Sequence, residues 1–393
     1  MKLKVAVMFG GDSVEHEVSI ISANQALKAL DLNKYDVIPI YISKKREFYF
    51  GEELFNLSNY KDLDALIKKL TKIVLVKEDN KVKIEPSKKG LFSKTLGEID
   101  VVIPVVHGTN VEDGTLQGYL EMLNLPYSSS DVISSAVGQD KVVMKCVLQQ
   151  ANIKMVDWFW VYGFEIDDNK KEIKENAEKL GYPLIIKPAS LGSSIGINFA
   201  NNYNELIDAI EECRQFDNKV IIEKKLENFR EVNCSVLGSI YKAKTGVLEE
   251  VNIGAGFLGF DEKYGGSKKS TKSSSKGMAS TSRQVPAKLS KSKEKEIKQI
   301  ALKTFKQIGS SGVVRIDFLI DEKDIVYVNE INNIPGSLAF YLWQPEGIDF
   351  SSLMDELVEI ALNKQSKKEK MIFSHETNIL SKYEPGSKTG KKI

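Results

Sequence analysis

Residues 312–333 read GVVRIDFLI-DEK-DIVYVNEINN, two apolar strands joined by an acidic turn. Side chains two apart in a strand share a face. Arg315 therefore lies beside Asp317, and Glu330 beside Asn332. Closing the turn at Lys323-Asp324 sets Asp317 opposite Glu330 and Arg315 opposite Asn332. Val314, Ile316, Phe318, Val328 and Ile331 around them are apolar, so the pattern predicts a small polar cluster set into a hydrophobic sheet. Two acids and an amide oxygen are hard ligands that suit Mg²⁺. The planar guanidinium of Arg315 suits a carboxylate or phosphoryl anion. A lone acid–Arg pair is more often a cross-strand ion pair on a wet face. Here a second acid and the exit Asn332-Asn333-Ile334-Pro335-Gly336 favour a site.

Upstream, VIIEKKL (220–226), EVNCSVLG (231–238) and KTGVLEEV (244–251) read as further strands. A loop at 260–285, dense in Gly, Ser, Thr and Lys, is long enough to be a lid. A helix is expected at Ser290–Ile308 and an amphipathic one at Phe350–Leu362. Before this β region, a strand ending at Lys187-Pro188 runs into SLGSSIG (190–196). Free backbone N–H groups in such a loop can close over phosphates. It is not a Walker A loop, because GxxxxGK[ST] is absent. GAGFLG at 254–259 matches GxGxxG, but no helical periodicity follows it, so a dinucleotide fingerprint is rejected.

At the amino end, a strand at Lys4–Phe9, a helix at Ser19–Leu32 and a strand at Val37–Ile42 make an open α/β unit. GGDSVEHEVS (10–19) puts Glu15 and His16 at a strand's carboxyl end, where such sheets bind ligands. Strand 100–106 ends likewise in His107-Gly108, with Glu112-Asp113-Gly114 after it. The lysine-rich stretch 51–99 reads as a peripheral insertion. The expected divisions are 1–130, 131–218 and 219–363, with a loosely attached lysine-rich tail at 364–393.

The length of 393 residues favours two or three domains. Fifty-five basic against 54 acidic residues leave a formal charge of +1, which removes any bulk electrostatic argument for nucleic acid or a membrane surface. Three scattered cysteines form no disulfide framework, and three histidines make a Cys/His zinc site a poor expectation. No run approaches the length of a membrane helix. The expectation is a soluble, cytoplasmic protein.

The strings GGDSVEHEVS, HGTNVEDGTLQG, DKVVMK, KPASLGSSIG, IIEKKLENFREV, DEKY, RIDF and EINNIPG occur in this order over residues 10–336. In that series the chain resembles the D-alanine–D-alanine ligases of the ATP-grasp superfamily. The resemblance implies an ATP-grasp fold, α/β and α+β, with an N-terminal open α/β, Rossmann-like domain. It implies ATP and two Mg²⁺ or Mn²⁺ ions. Lys141 and Lys187 would contact ATP phosphates, with Ser193, Ser194 and Lys263 beside them. Glu223, Lys224 and Leu226 would line the adenine pocket, and Glu231 would hold the ribose. Asp317, Glu330 and Asn332 would bind the metals. Glu15 would hold the ammonium of the first D-alanine, in a hydrogen-bonded triad with Ser193 and Tyr264. His107 would lie near that substrate, and Arg315 with the Gly336 N–H would form the oxyanion hole. Tyr341 and Leu342 would meet the second amino acid. The family commonly has Ser where this chain has Tyr341, which leaves D-alanine and D-serine open as acceptors. Tyr264 on the lid argues against D-lactate. The family implies a homodimer. Another carboxylate–amine ligase and an ATP-binding protein without turnover are the rival readings.

Overall fold

The computed structural model describes residues 2–88, 90, 94–251, 283–378 and 380. Strands β1 (Leu3–Gly10) and β2 (Tyr35–Ile42) pair in parallel, with helix α1 (His16–Ala29) between them. Strands β3 (Phe48–Phe50), β4 (Thr71–Glu78), β5 (Lys81–Pro86) and β6 (Gly97–Ile99) add antiparallel neighbours, with α2 (Leu63–Lys69) between β3 and β4. β7 (Val101–Val106) returns to pair in parallel with β1. The stretch 51–99 thus continues the central sheet and is more than an insertion. Its cue is short: Ile73 and Leu75 are buried around exposed Val74, and Val82 and Ile84 around Lys83. That is period-two burial over too few residues to stand out among the lysines.

Helices α3 (Thr115–Met122), α4 (Val132–Gln139) and α5 (Lys141–Gln150) lead to a four-stranded antiparallel sheet. It is built from β8 (Trp158–Tyr162), β9 (Leu184–Pro188), β10 (Asn198–Ala200) and β11 (Lys219–Lys224), in the order β10-β9-β11-β8. Helices α6 (Lys170–Leu180) and α7 (Tyr203–Cys213) bury Ile173, Ala177, Leu206 and Ile210 against Leu184, Ile186, Val220 and Ile222. The pleat sends Lys187 and Glu223 to the opposite face.

The third sheet holds β12 (Arg230–Ser239), β13 (Lys242–Val251), β14 (Arg283–Gln284), β15 (Gly312–Ile320) and β16 (Val326–Asn332), ordered β14-β13-β12-β15-β16. Helix α8 (Lys291–Gln307), capped by the Ser290 side chain, presents Ile297, Ala301 and Phe305 to Val232, Cys234, Val314, Ile316 and Phe318. Each strand is thereby apolar on the helix face and polar on the other. Helix α9 (Phe350–Lys368), capped by Asp349, buries Leu353, Met354, Leu357 and Val358 in the core of the N-terminal sheet. It runs six residues past the expected end. Lys364 donates to the Ser129 carbonyl at 2.9 Å and stacks on Tyr127, and Lys368 pairs with Glu121, so the start of the lysine-rich tail is packed.

Candidate active site

The polar face of the third sheet carries the pairing expected from the turn. Asp317 lies opposite Glu330, and Arg315 opposite Asn332. Near the turn, however, Ile320 faces Val326 and Phe318 faces Val328, one step out of that register. The extra residue is Asn329, in a bulge between the Asp317 and Phe318 pairings. An unbroken ladder would place Glu330 opposite Ile316, on the helix face; the bulge re-aims it. Arg315 donates from Nε and Nη2 to both Asp317 oxygens at 2.7 Å, and Asn332 Nδ2 donates to Asp317 Oδ2 at 3.0 Å. Asn233 on β12 faces Asp317, and Glu249 on β13 faces Asn233. The result is a row Glu249–Asn233–Asp317–Glu330 across four strands. Glu249 accepts from Asn233 Nδ2 at 3.0 Å and from the Tyr341 hydroxyl at 2.8 Å, and Arg283 Nη1 donates to that hydroxyl at 3.0 Å.

Burial pushes Asp317 above the usual carboxylate range, and Glu330 and Glu249 add to that against the pull of Arg315. A hard cation would relieve this shortage of positive charge, and two carboxylates with an amide oxygen match its chemistry. Among the described residues no group of three His, Cys, Asp or Glu side chains converges as a metal site. Asp317, Glu330 and Asn332 supply two carboxylates and an amide oxygen, donor types that suit a hard cation.

On the four-stranded sheet, Glu223 accepts from Lys145 and Lys187, each at 2.5 Å. All three side chains are buried. Burial alone would raise the Glu223 carboxyl, but the two ammonium groups overcome it and hold it at about 2. Lys145 stands one helical turn from Lys141 on α5, so the two share a face. Lys141 Nζ donates to the Leu191 carbonyl at 2.6 Å and lies 3.9 Å from Glu330. Ser193 and Ser194 follow with φ of 55° and 61°, left-handed conformations that turn successive N–H groups to one side.

The N-terminal loops close the arrangement. Glu15 precedes α1 and accepts a hydrogen bond from Ser193, tying the first sheet to the Gly/Ser loop. Gly108 takes a φ of +80°, and a Cβ there would run into the Ser13 hydroxyl. His107 is buried, with Nδ1 2.8 Å from the Ile334 carbonyl and Nε2 3.2 Å from Ser22 Oγ. Burial pushes its imidazole down to about 4. His16, by contrast, turns inward to Gly11 O and Tyr41 OH, and serves the fold.

The structure thus brings Glu15, Ser193, Lys141, Glu330, Asp317, Arg315 and Asn332 into one connected group, with His107 and Tyr341 at its edges. Lys187 and Glu223 form a second group. Gly336 opens a 3₁₀ turn, Gly336–Leu342, and Leu342 is buried with Val247 and Ala339. Glu231 lies on β12, and Leu226 follows β11. The Lys224 ammonium is held by the Gly181 and Tyr182 carbonyls, both at 2.9 Å, so its side chain points away from Lys187. Lys263, Tyr264, the GAGFLG string and the lid up to residue 282 lie outside the described residues. Sequence reasoning passed over Lys145, although DKVVMK shows it at i+4 from Lys141. It also passed over Glu249, Arg283 and Ser22, which carry no local signal because their partners are distant in sequence.

The family model described as "D-ala D-ala ligase N-terminus" matches residues 4–130, and "D-ala D-ala ligase C-terminus" matches 147–359. A protein of Thermosipho melanesiensis named D-alanine–D-alanine ligase is 42% identical over 96% of this chain and 98% of its own length. The structure of the D-alanine–D-alanine ligase of Coxiella burnetii superposes with a TM-score of 0.75 at 30% identity, covering 94% of this chain and 96% of that one. The VanG D-Ala:D-Ser ligase of Enterococcus faecalis also gives 0.75, at 32% identity over 92% of this chain and all of its own. Those structures share the ATP-grasp architecture, and with both family models matched in order this chain belongs to the D-alanine–D-alanine ligase family.

Proposed function

We propose that the protein joins two D-alanine molecules into D-alanyl-D-alanine for peptidoglycan synthesis, at the expense of ATP. The observation that supports this most is the contact of Glu15 with Ser193, because it sets an amino-acid-binding end against a phosphate-binding loop. In this reading Glu15 holds the ammonium of the first D-alanine. Lys141 and Lys187 neutralise the ATP phosphates, the segment Glu223–Leu226 lines the adenine, and Glu231 meets the ribose. A carboxylate oxygen of the first D-alanine attacks the γ-phosphorus, ADP leaves, and an acyl phosphate forms. The second amino acid, its amine deprotonated, attacks the acyl carbon, and phosphate departs as the peptide bond closes. Arg315 and the Gly336 N–H face the oxyanion that develops in this step. Arg315 has Nε and Nη2 on Asp317, so Nη1 is the nitrogen outside that pair. Two Mg²⁺ or Mn²⁺ ions on Asp317, Glu330 and Asn332 would supply charge neutralisation at the moving phosphoryl group. Tyr264 and Lys263 on the lid would complete the enclosure, since an acyl phosphate must be kept from water.

The test is phosphate release by pure protein with ATP, Mg²⁺ and D-alanine. D-alanine-dependent release with D-alanyl-D-alanine as product is expected, and release indifferent to D-alanine overturns the reading. D-serine is the second reading for the acceptor, motivated by Tyr341 and by the likeness to a D-Ala:D-Ser ligase. Competition between the two acceptors decides it. No helix among the described residues is long and apolar enough to cross a membrane. We read the enzyme as a cytoplasmic homodimer, and sedimentation at the mass of one chain would remove that part.

A further inference from the structure

The turn after the β15–β16 hairpin has an improbable backbone. Ser337, Leu338 and Ala339 take φ of 53°, 52° and 48° in succession, with no glycine among them. Left-handed non-glycine residues are strained and persist only where the surroundings over-determine them. Here the surroundings are N-terminal. Glu112 accepts from the Ile334 N–H at 2.7 Å with one oxygen and from the Gly108 N–H at 2.8 Å with the other. The Ser337 N–H donates to Ser22 Oγ at 2.9 Å. His107 meets both ends, with Nδ1 on Ile334 O and Nε2 on Ser22 Oγ.

The directions of these bonds follow from chemistry. A carbonyl only accepts, so His107 Nδ1 carries the proton. Buried and neutral, His107 then offers a lone pair at Nε2, and Ser22 donates its hydroxyl proton there while accepting from Ser337. The chain Ser337 N–H to Ser22 O–H to His107 to Ile334 C=O is closed and every member has one role. Glu112, Ser22, His107, Ile334 and Ser337 are all at most 6% exposed.

We propose that Glu112 and Ser22 are positioning residues that clamp the strained turn from both sides and so hold the Gly336 N–H where the oxyanion forms. Neither touches the reacting atoms. The clamp also makes that donor's placement depend on the loop after β7 and on α1, the helix that Glu15 precedes. The inference rests on the ligase reading and on Gly336 as an oxyanion donor.

The experiment compares wild type, Glu112→Gln, Ser22→Ala and the double variant in D-alanine-dependent phosphate release, with ADP affinity measured by calorimetry. Gln keeps the shape but can accept only one of the two N–H bonds. A donor that acts in the transition state should cost kcat about tenfold or more in each single variant while ADP affinity stays within about twofold. The double variant should lose less than the product of the two, because both release the same turn. Singles within about twofold of wild-type kcat, or a loss shared equally by ADP affinity, overturn the clamp. If Glu112→Gln does not fold, Ser22→Ala, which removes one hydroxyl, decides alone. A wild type without D-alanine-dependent release overturns the ligase reading and the clamp with it; a working wild type beside unaffected variants overturns the clamp alone.

Discussion

The four-stranded sheet and the five-stranded sheet each keep a polar face and fill it with different charged groups. In the first, two lysines (Lys145 and Lys187) meet on one carboxylate (Glu223). In the second, three carboxylates (Glu249, Asp317, Glu330) gather with two arginines (Arg283, Arg315). Lys187 and Glu223 in the first set, and Glu249, Asp317, Glu330 and Arg315 in the second, sit on strand positions whose other side packs on helices, while Lys145 reaches the first face from α5. The ammonium groups of the first suit an anion, and the carboxylates of the second suit a hard cation. A nucleotide with its divalent ion presents both at once, and Lys141, 3.9 Å from Glu330, stands at the seam.

Asp317→Ala attacks the anionic side hardest. It leaves Arg315 buried without its bidentate partner, which should cost about 3–5 kcal/mol of stability. Turnover should fall by about a thousandfold or more, read by phosphate release. Near-normal activity would break the cation half of the comparison. Glu223→Gln attacks the cationic side by removing the charge that Lys145 and Lys187 share, with a stability loss of about 3 kcal/mol in urea unfolding. It also has a pH signature. The folded Glu223 carboxyl is held at about 2, below its value of about 4.3 in an unfolded chain. Its contribution is complete above the unfolded value and is lost as pH falls through the folded one. The gap in melting temperature between wild type and Glu223→Gln should shrink between pH 5 and about pH 3. A gap that stays constant over that range shows that the lysine pair does not set the carboxyl.

Lys187→Ala separates the two faces kinetically. The KM for ATP should rise about tenfold and that for D-alanine change less than about twofold; equal rises would argue against a phosphate role. Tyr341→Ser is the mildest change. It removes the hydroxyl between Glu249 and Arg283, with an effect of about 1 kcal/mol on acceptor choice. The product ratio in a D-alanine and D-serine mixture reads it, and an unchanged ratio would show that this tyrosine does not select the acceptor.

The hairpin and its four polar residues were legible because alternation, a short acidic turn and apolar neighbours are local signals. The Gly/Ser loop and the two N-terminal strand ends were legible for the same reason. Period-two burial in 71–86 was not, since lysines on the solvent side outnumber the few apolar positions. The end of α9 was missed because its last turns pack through Lys364 and Lys368, and such lysines read as solvated until a ring or carboxylate is found beside them.

By itself the amino-acid order determined which residues share a strand face, which loops can present N–H groups, and that Asp317 and Glu330 stand on the two strands of one hairpin, because these depend only on backbone geometry over short spans. Tertiary structure alone decided that a bulge at Asn329 turns Glu330 toward Asp317, that Lys145 joins Lys187 on one glutamate, and that Glu112 and Ser22 reach Ile334 and Ser337. Those contacts join residues far apart in the chain. Their energies come from burial and charge pairing, and neither exists until the sheets and helices have packed.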